Sequence, residues 1–124
     1  MTLRNLGRPV RRHAGRHGSR GGYEVGWIFE SGDFTTALDH LVILEIEPGG
    51  EVGEHLHEED DEIYLVLAGR GILHLDGEPY QMAEGDAMLT TPGHRHRLEN
   101  DGTESLRVLV VNCRKSQSDG DRPV

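Results

Sequence analysis

The sequence predicts an all-β domain, a sandwich or barrel of short strands, on three observations. No amphipathic helix of useful length can be drawn from Tyr23 to Val111. Gly, Pro, Asp and Asn punctuate that stretch roughly every eight to twelve residues, the spacing of strand and turn in such folds. Glycine supplies 17 of the 124 residues, as a turn-rich chain requires. The length corresponds to about one ordinary domain.

The elements follow in order. Strands are expected at Val25–Phe29, Leu41–Glu47, Val52–His57, Glu62–Ala68, Gly71–Leu75, Pro79–Met82, Ala87–Thr90, His96–Glu99 and Leu106–Val111. Between them stand turn signals: Pro48-Gly49-Gly50, the Ala68 to Gly71 run, Asp76-Gly77, Glu84-Gly85-Asp86, Pro92-Gly93 and Asn100-Asp101-Gly102. Asp76-Gly77 is the strongest, because Asp-Gly suits a two-residue hairpin turn. No internal repeat appears at the period of a propeller or solenoid.

Several strands are apolar on both faces: Leu41 to Leu44, Ile63 to Leu67, and Leu106 to Val111 apart from Arg107. Both faces then need cover, and the chain offers no helices. A second copy, or an N-terminal arm exchanged between copies, is the simplest cover, so a homodimer is expected.

Charge narrows the partners. Thirteen Lys and Arg stand against 22 Asp and Glu, a net of −9, which disfavours nucleic acid and anionic membrane as partners of the body. Six of the cations are arginines within residues 1–22, which hold no acid. That segment is expected to be a basic arm, flexible or crossing to a partner, ahead of a single barrel domain over 23–113 and a disordered tail over 114–124. One cysteine, Cys113, makes no intramolecular disulfide, and there is no apolar run of a signal peptide or membrane span. A cytoplasmic protein is expected.

The chemistry concentrates in the histidines. His55 and His57 are two apart in an expected strand, so both rings leave one face, as two imidazoles sharing a metal must. Glu62 follows across the acidic turn Glu58 to Asp61, and His96 lies further along. Three imidazoles and one carboxylate suit a divalent transition metal such as Fe, Mn, Ni, Co or Zn, and serve Ca or Mg poorly. The acids of the turn add negative potential near the site without being expected to ligate. If Glu62 points inward, so do Tyr64 and Val66, with Ile63, Leu65 and Leu67 outward.

Gly49, His55, His57, Glu62 and Gly69 stand at the spacing of the first motif of the cupin superfamily, and Gly85, Gly93, His96 and Asn100 at that of the second. The second motif departs at its proline: Pro92 directly precedes Gly93, and Thr91 holds the usual place. On these residues the chain resembles a small cupin, with flanking strands extending the likeness over roughly Tyr23 to Val111. The resemblance implies a double-stranded β-helix, a small antiparallel barrel of jelly-roll type, with His55, His57, Glu62 and His96 directed at one metal. It also implies a small-molecule substrate, with oxygenation, decarboxylation, lyase, isomerase or cyclase chemistry all compatible with one ligand set. The alternative is a non-catalytic module that binds a metal or small ligand.

Two further residues are catalytic candidates. Tyr64 is placed to act as a general acid or to hydrogen-bond a substrate. His94 shares strand parity with His96 and is a candidate proton shuttle or substitute ligand. His40 and His74 are read as structural, Trp27, Phe29, Met82 and Met88 as core or pocket wall, and Cys113 is given no chemistry.

Overall fold

The computed structural model describes residues 1–15 and 21–115, and at Glu54 and His55 the backbone alone. Ten strands alternate with turns: β1 Arg11–Gly15, β2 Tyr23–Phe29, β3 Leu38–Ile46, β4 Glu51–His57, β5 Asp60–Ala68, β6 Arg70–Leu75, β7 Glu78–Ala83, β8 Ala87–Thr90, β9 His94–Glu99 and β10 Leu106–Arg114. Among the described residues the only helical turn is Ser31–Asp33. The strands form two antiparallel sheets, β1-β2-β3-β10-β5-β8 and β4-β9-β6-β7, which face each other as a jelly-roll barrel.

All nine expected strands are present, but several run longer than their apolar residues. The β5–β10 ladder continues through Cys113↔Asp61 and Arg114↔Asp60, so Asp60 and Asp61, expected in a turn, belong to a strand. Backbone pairing does not require an apolar side chain, and polar residues prolong a strand wherever a neighbour supplies the ladder. The Asp76-Gly77 hairpin forms between β6 and β7, both turn residues at positive φ (51° and 85°), as a type I′ turn demands.

The N-terminal segment contributes β1, paired with β2 of the same chain from Arg11↔Trp27 to Gly15↔Tyr23. Its arginines meet acids of the body: Arg4 with Asp33 at 2.7 Å, Arg11 with Glu30 at 2.6 Å and Arg12 with Glu24 at 2.6 Å. The Arg4 guanidinium also donates to the Ile28 carbonyl, and the Val10 amide to that of Trp27. Pro9 packs so closely on Gly26 that an added Cβ would lie 3.0 Å from its ring. Residues 4–10 thus lie over the outer face of β2 and β3, where Ile28 and Ile43 are buried. The expected tail from Ser116 onward lies outside the described residues.

Register across the six-stranded sheet arranges the barrel interior in levels. Leu44, Val108 and Val66 share one row, Val42, Val110 and Tyr64 the next, and His40, Asn112, Glu62 and Thr90 the one beyond. The first row closes the barrel with apolar side chains, together with Ile46, Leu73, Leu98 and Leu106, all fully buried. Polarity rises level by level, so the packed end supports a polar site at the other.

Candidate metal centre

Three strands bring three buried donors together. His57 on β4, Glu62 on β5 and His96 on β9 are 3%, 7% and 1% exposed. His57 Nε2 lies 2.9 Å from His96 Nε2, and Glu62 Oε1 lies 3.3 Å from the first and 3.2 Å from the second. The two histidines come from the four-stranded sheet and the carboxylate from the six-stranded sheet, so the cluster bridges the barrel.

These separations are those of ligands on one ion. With metal–nitrogen bonds of about 2.1 Å, donors at right angles stand about 3.0 Å apart and tetrahedral donors about 3.4 Å. Electron-pair donors this close repel unless a proton or a cation lies between them. His57 Nδ1 is 2.7 Å from Asp60 Oδ1, and His96 Nδ1 is 2.9 Å from Thr90 Oγ1. An ionised carboxylate only accepts, so Asp60 draws the His57 ring proton to Nδ1, and the Thr90 hydroxyl can accept the Nδ1 proton of His96. The His57 Nε2 lone pair then faces the cluster, and with Nδ1 of His96 donating to Thr90 its Nε2 lone pair does too, the tautomer a metal ligand needs.

The carboxylate is held in the same way. Asn112 Nδ2 donates to Glu62 Oε2 at 3.1 Å and to Asp60 Oδ2 at 2.6 Å, tying a candidate ligand and the support of another to one amide. Burial alone raises the Glu62 pKa. The His96 hydrogen bond, the His57 charge, the Asn112 hydrogen bond and the His96 charge together outweigh it and hold the carboxyl below its ordinary range. His57, Glu62 and His96 can therefore hold a metal ion.

The other expected residues fall as follows. His55 stands opposite His96 in the β4–β9 register, and its side chain lies outside the described residues. Tyr64 is buried beside the cluster, its ring centroid 4.9 Å from that of His96. Burial first, then the charge and hydrogen-bonding contact of Glu62 and the nearness of Tyr23, push its hydroxyl well above the ordinary phenol range, so the proton stays on. His94 is not brought to the cluster: at the open start of β9 it is exposed and meets Asp76 at 2.6 Å. His74 pairs with Glu99 on the outer face, at 2.9 Å.

Asp60, Thr90 and Asn112 were not singled out from the sequence. Asp60 carries the one available signal, standing three residues after His57, but the sequence places it in an acidic turn whose residues are not expected to ligate. Thr90 ends β8 and Asn112 lies within β10, and both are identified only by register, as neighbours of Glu62 on either side.

Asn100 and the motif glycines are structural. The Asn100 amide donates to the carbonyls of Ile46 and Glu104, and its backbone exchanges hydrogen bonds with Gly49 and Gly50. Gly49, Gly69, Gly85 and Gly93 all lie at positive φ, from 81° to 93°, where a side chain is strained. The displaced proline leaves the turn before β9 intact: Gly93 donates to the His57 carbonyl at 2.6 Å and so ties two ligand strands together.

Comparison with known proteins agrees with this architecture. Residues 42–112 match the Cupin domain family, and the chain belongs to that family. It is 29% identical over 111 residues to an oxalate-binding protein of Thermotoga maritima, covering 90% of this chain and 92% of that one. The crystal structure of a predicted oxalate decarboxylase from Thermotoga maritima superposes with a TM-score of 0.81 at 28% identity, covering 92% of this chain and 99% of the other. A tetracenomycin polyketide synthase protein of Streptomyces glaucescens is 33% identical over 66 residues, 53% of this chain and 44% of that protein. Among the described residues no helix is long and apolar enough to cross a membrane.

Proposed function

We propose that this chain is a metal-dependent enzyme acting on a small oxygenated carboxylate, with one divalent transition metal held by His55, His57, Glu62 and His96. The observation that carries the reading is the convergence of three buried donors whose outer atoms are each fixed by a further side chain. Such outer contacts orient ligands for a metal. When bound, the metal supplies Lewis-acid chemistry, polarising substrate oxygens. Tyr64, kept protonated by burial and by Glu62, offers its O–H to a substrate oxygen that takes the place of Glu62 as acceptor. The relatives named for oxalate support a carboxylate ligand.

The name of the Thermotoga relative also favours a second reading, in which the barrel binds such an anion without turning it over. The partly exposed apolar stripe on the outer face of β5, β8 and β10, with Ile63 40% and Leu89 54% exposed, is proposed to be covered by a second copy of the chain.

Elemental analysis of protein reconstituted with Mn(II) tests the site, and the expected result is close to one equivalent. Oxalate added to that protein is expected to change the Mn(II) paramagnetic resonance spectrum, and released formate and carbon dioxide distinguish turnover from binding. Failure to retain any divalent transition metal would overturn the proposal.

A further inference from the structure

Beside the donor cluster lies a cavity of about 180 Å³ that a compact dianion would fill poorly. Its volume equals about six waters at roughly 30 Å³ each. Glu62 and Tyr64 bound it near the cluster, while Val25, Val42, Leu44, Val52 and Val110 form its apolar walls. His13, Tyr23, Trp27 and His40 complete the lining. Oxalate has no hydrocarbon surface, so any of its oxygens turned from the metal toward these side chains would be desolvated without a partner. An aliphatic chain meets the same walls favourably.

His40 supplies a polar group on the far side of the cavity from Glu62. The two stand on either side of Asn112 in one row of the sheet, about 10 Å apart at a strand spacing of about 4.8 Å. Asn112 pairs with His40 and Cys113 with Leu38, leaving Asp39 as the extra residue of a β-bulge. Bulges beside sites re-aim side chains, and this one brings Asp39 Oδ2 to 2.6 Å from His40 Nδ1. Arg114 holds the other carboxylate oxygen at 3.1 Å. The Trp27 ring packs edge-on against the imidazole at 5.2 Å between centroids. With Nδ1–H committed to Asp39, Nε2 is the remaining polar atom of His40, and among the described residues no hydrogen bond engages it. A hydroxyl, which both donates and accepts, suits that atom in either protonation state.

We infer that the cavity selects a small 2-oxo or 2-hydroxy acid with a short apolar body and a distal hydroxyl, and that His40, held by Asp39, recognises that hydroxyl. This inference rests on the metal–carboxylate reading above and names the substrate class it would serve. His40 is a specificity residue, separate from the ligand set.

Trp27, the single tryptophan of the chain, lines the cavity and reports occupancy by its fluorescence. Mn(II)-loaded protein is titrated, by fluorescence and by calorimetry, with oxalate, 2-oxopentanoate and 4-hydroxy-2-oxopentanoate. The expected affinities rise in that order, by about tenfold at each step. His40→Leu is expected to remove the advantage of the hydroxylated acid over 2-oxopentanoate while leaving metal content and oxalate affinity unchanged. Asp39→Asn, which keeps the ring but loosens its anchor, is expected to reduce the same advantage in part and provides a second variant if the first folds poorly. Oxalate binding as tightly as 2-oxopentanoate would overturn the apolar-body inference, and an unchanged ratio in both variants would overturn the role of His40. If a protein carrying its full complement of Mn(II) binds none of the three acids, the carboxylate reading itself fails.

Discussion

The two sheets face the same interior but are built differently on their outer sides. The four-stranded sheet supplies His57 and His96 from inside, and outside it carries a charged ladder: Arg97 with Glu51 at 2.9 Å and with Glu99 at 3.8 Å, and Glu99 with His74 at 2.9 Å. The six-stranded sheet supplies Glu62, its supports and most of the cavity wall. Its outer face is mainly apolar apart from the Arg107–Glu45 and Arg12–Glu24 pairs, covered by residues 4–10 over β2 and β3 and partly exposed over β10, β5 and β8. A solvated ladder needs no partner, whereas an apolar sheet face does. The difference separates the roles: one sheet is finished by water, and the other by the N-terminal segment and, as proposed, by a second copy.

The largest expected effect tests what the sheets share. Glu62→Ala removes the six-stranded sheet's donor and His57→Ala one from the four-stranded sheet, and each is expected to lose most of the bound metal after dialysis against a mild chelator. Asp60→Asn, which keeps the ligands but weakens the hold on His57, is expected to lower metal affinity by about 10- to 100-fold. Full metal content in both alanine variants, measured by elemental analysis, would break the assignment.

A smaller effect separates the outer faces. Ile63→Lys places a charge in the apolar stripe and is expected to lower the mass in solution from dimer to monomer, whereas Arg97→Ala, in the charged ladder, leaves it unchanged. Sedimentation equilibrium reads both. Equal masses for the wild type and Ile63→Lys would remove the proposed partner from this face.

The smallest effect concerns the covered part of that face. The Arg4 hydrogen bond, with the Glu30 amide and the Arg4 charge, holds the Asp33 carboxyl below the ordinary value of 3.8 against a slight opposing burial effect. A depressed pKa in the folded state contributes stability that is present above 3.8 and lost as pH falls through the lower folded value. Asp33→Asn is expected to lower the thermal midpoint slightly at pH 5 and to converge on the wild type as pH falls through the folded value. No difference at pH 5 would mean that the segment is held by Pro9 and the backbone alone.

Much of this molecule is legible in its sequence, because its signals are local. Turn residues at short spacing marked the strands, and period-2 alternation put Glu62, Tyr64 and Val66 inside, where all three are buried. The motif spacing brought out His57, Glu62 and His96 as one set, although no single pair among them shows which atoms meet. Parity also suggested His94, and there it was insufficient: parity gives the face of a strand but not its depth, and β9 begins at His94 beyond the cover of the barrel.

What tertiary structure alone decided is adjacency between strands remote in sequence. Asn112 meets Glu62 across 50 residues, and His57 meets His96 across 39. Asp39 and His40 were drawn together by a bulge set by the register of β10, and part of a basic arm became a strand because β2 had a free edge for it. A side chain's face follows from its own strand's geometry and is written locally. Its neighbours follow from register, which depends on how the whole barrel closes.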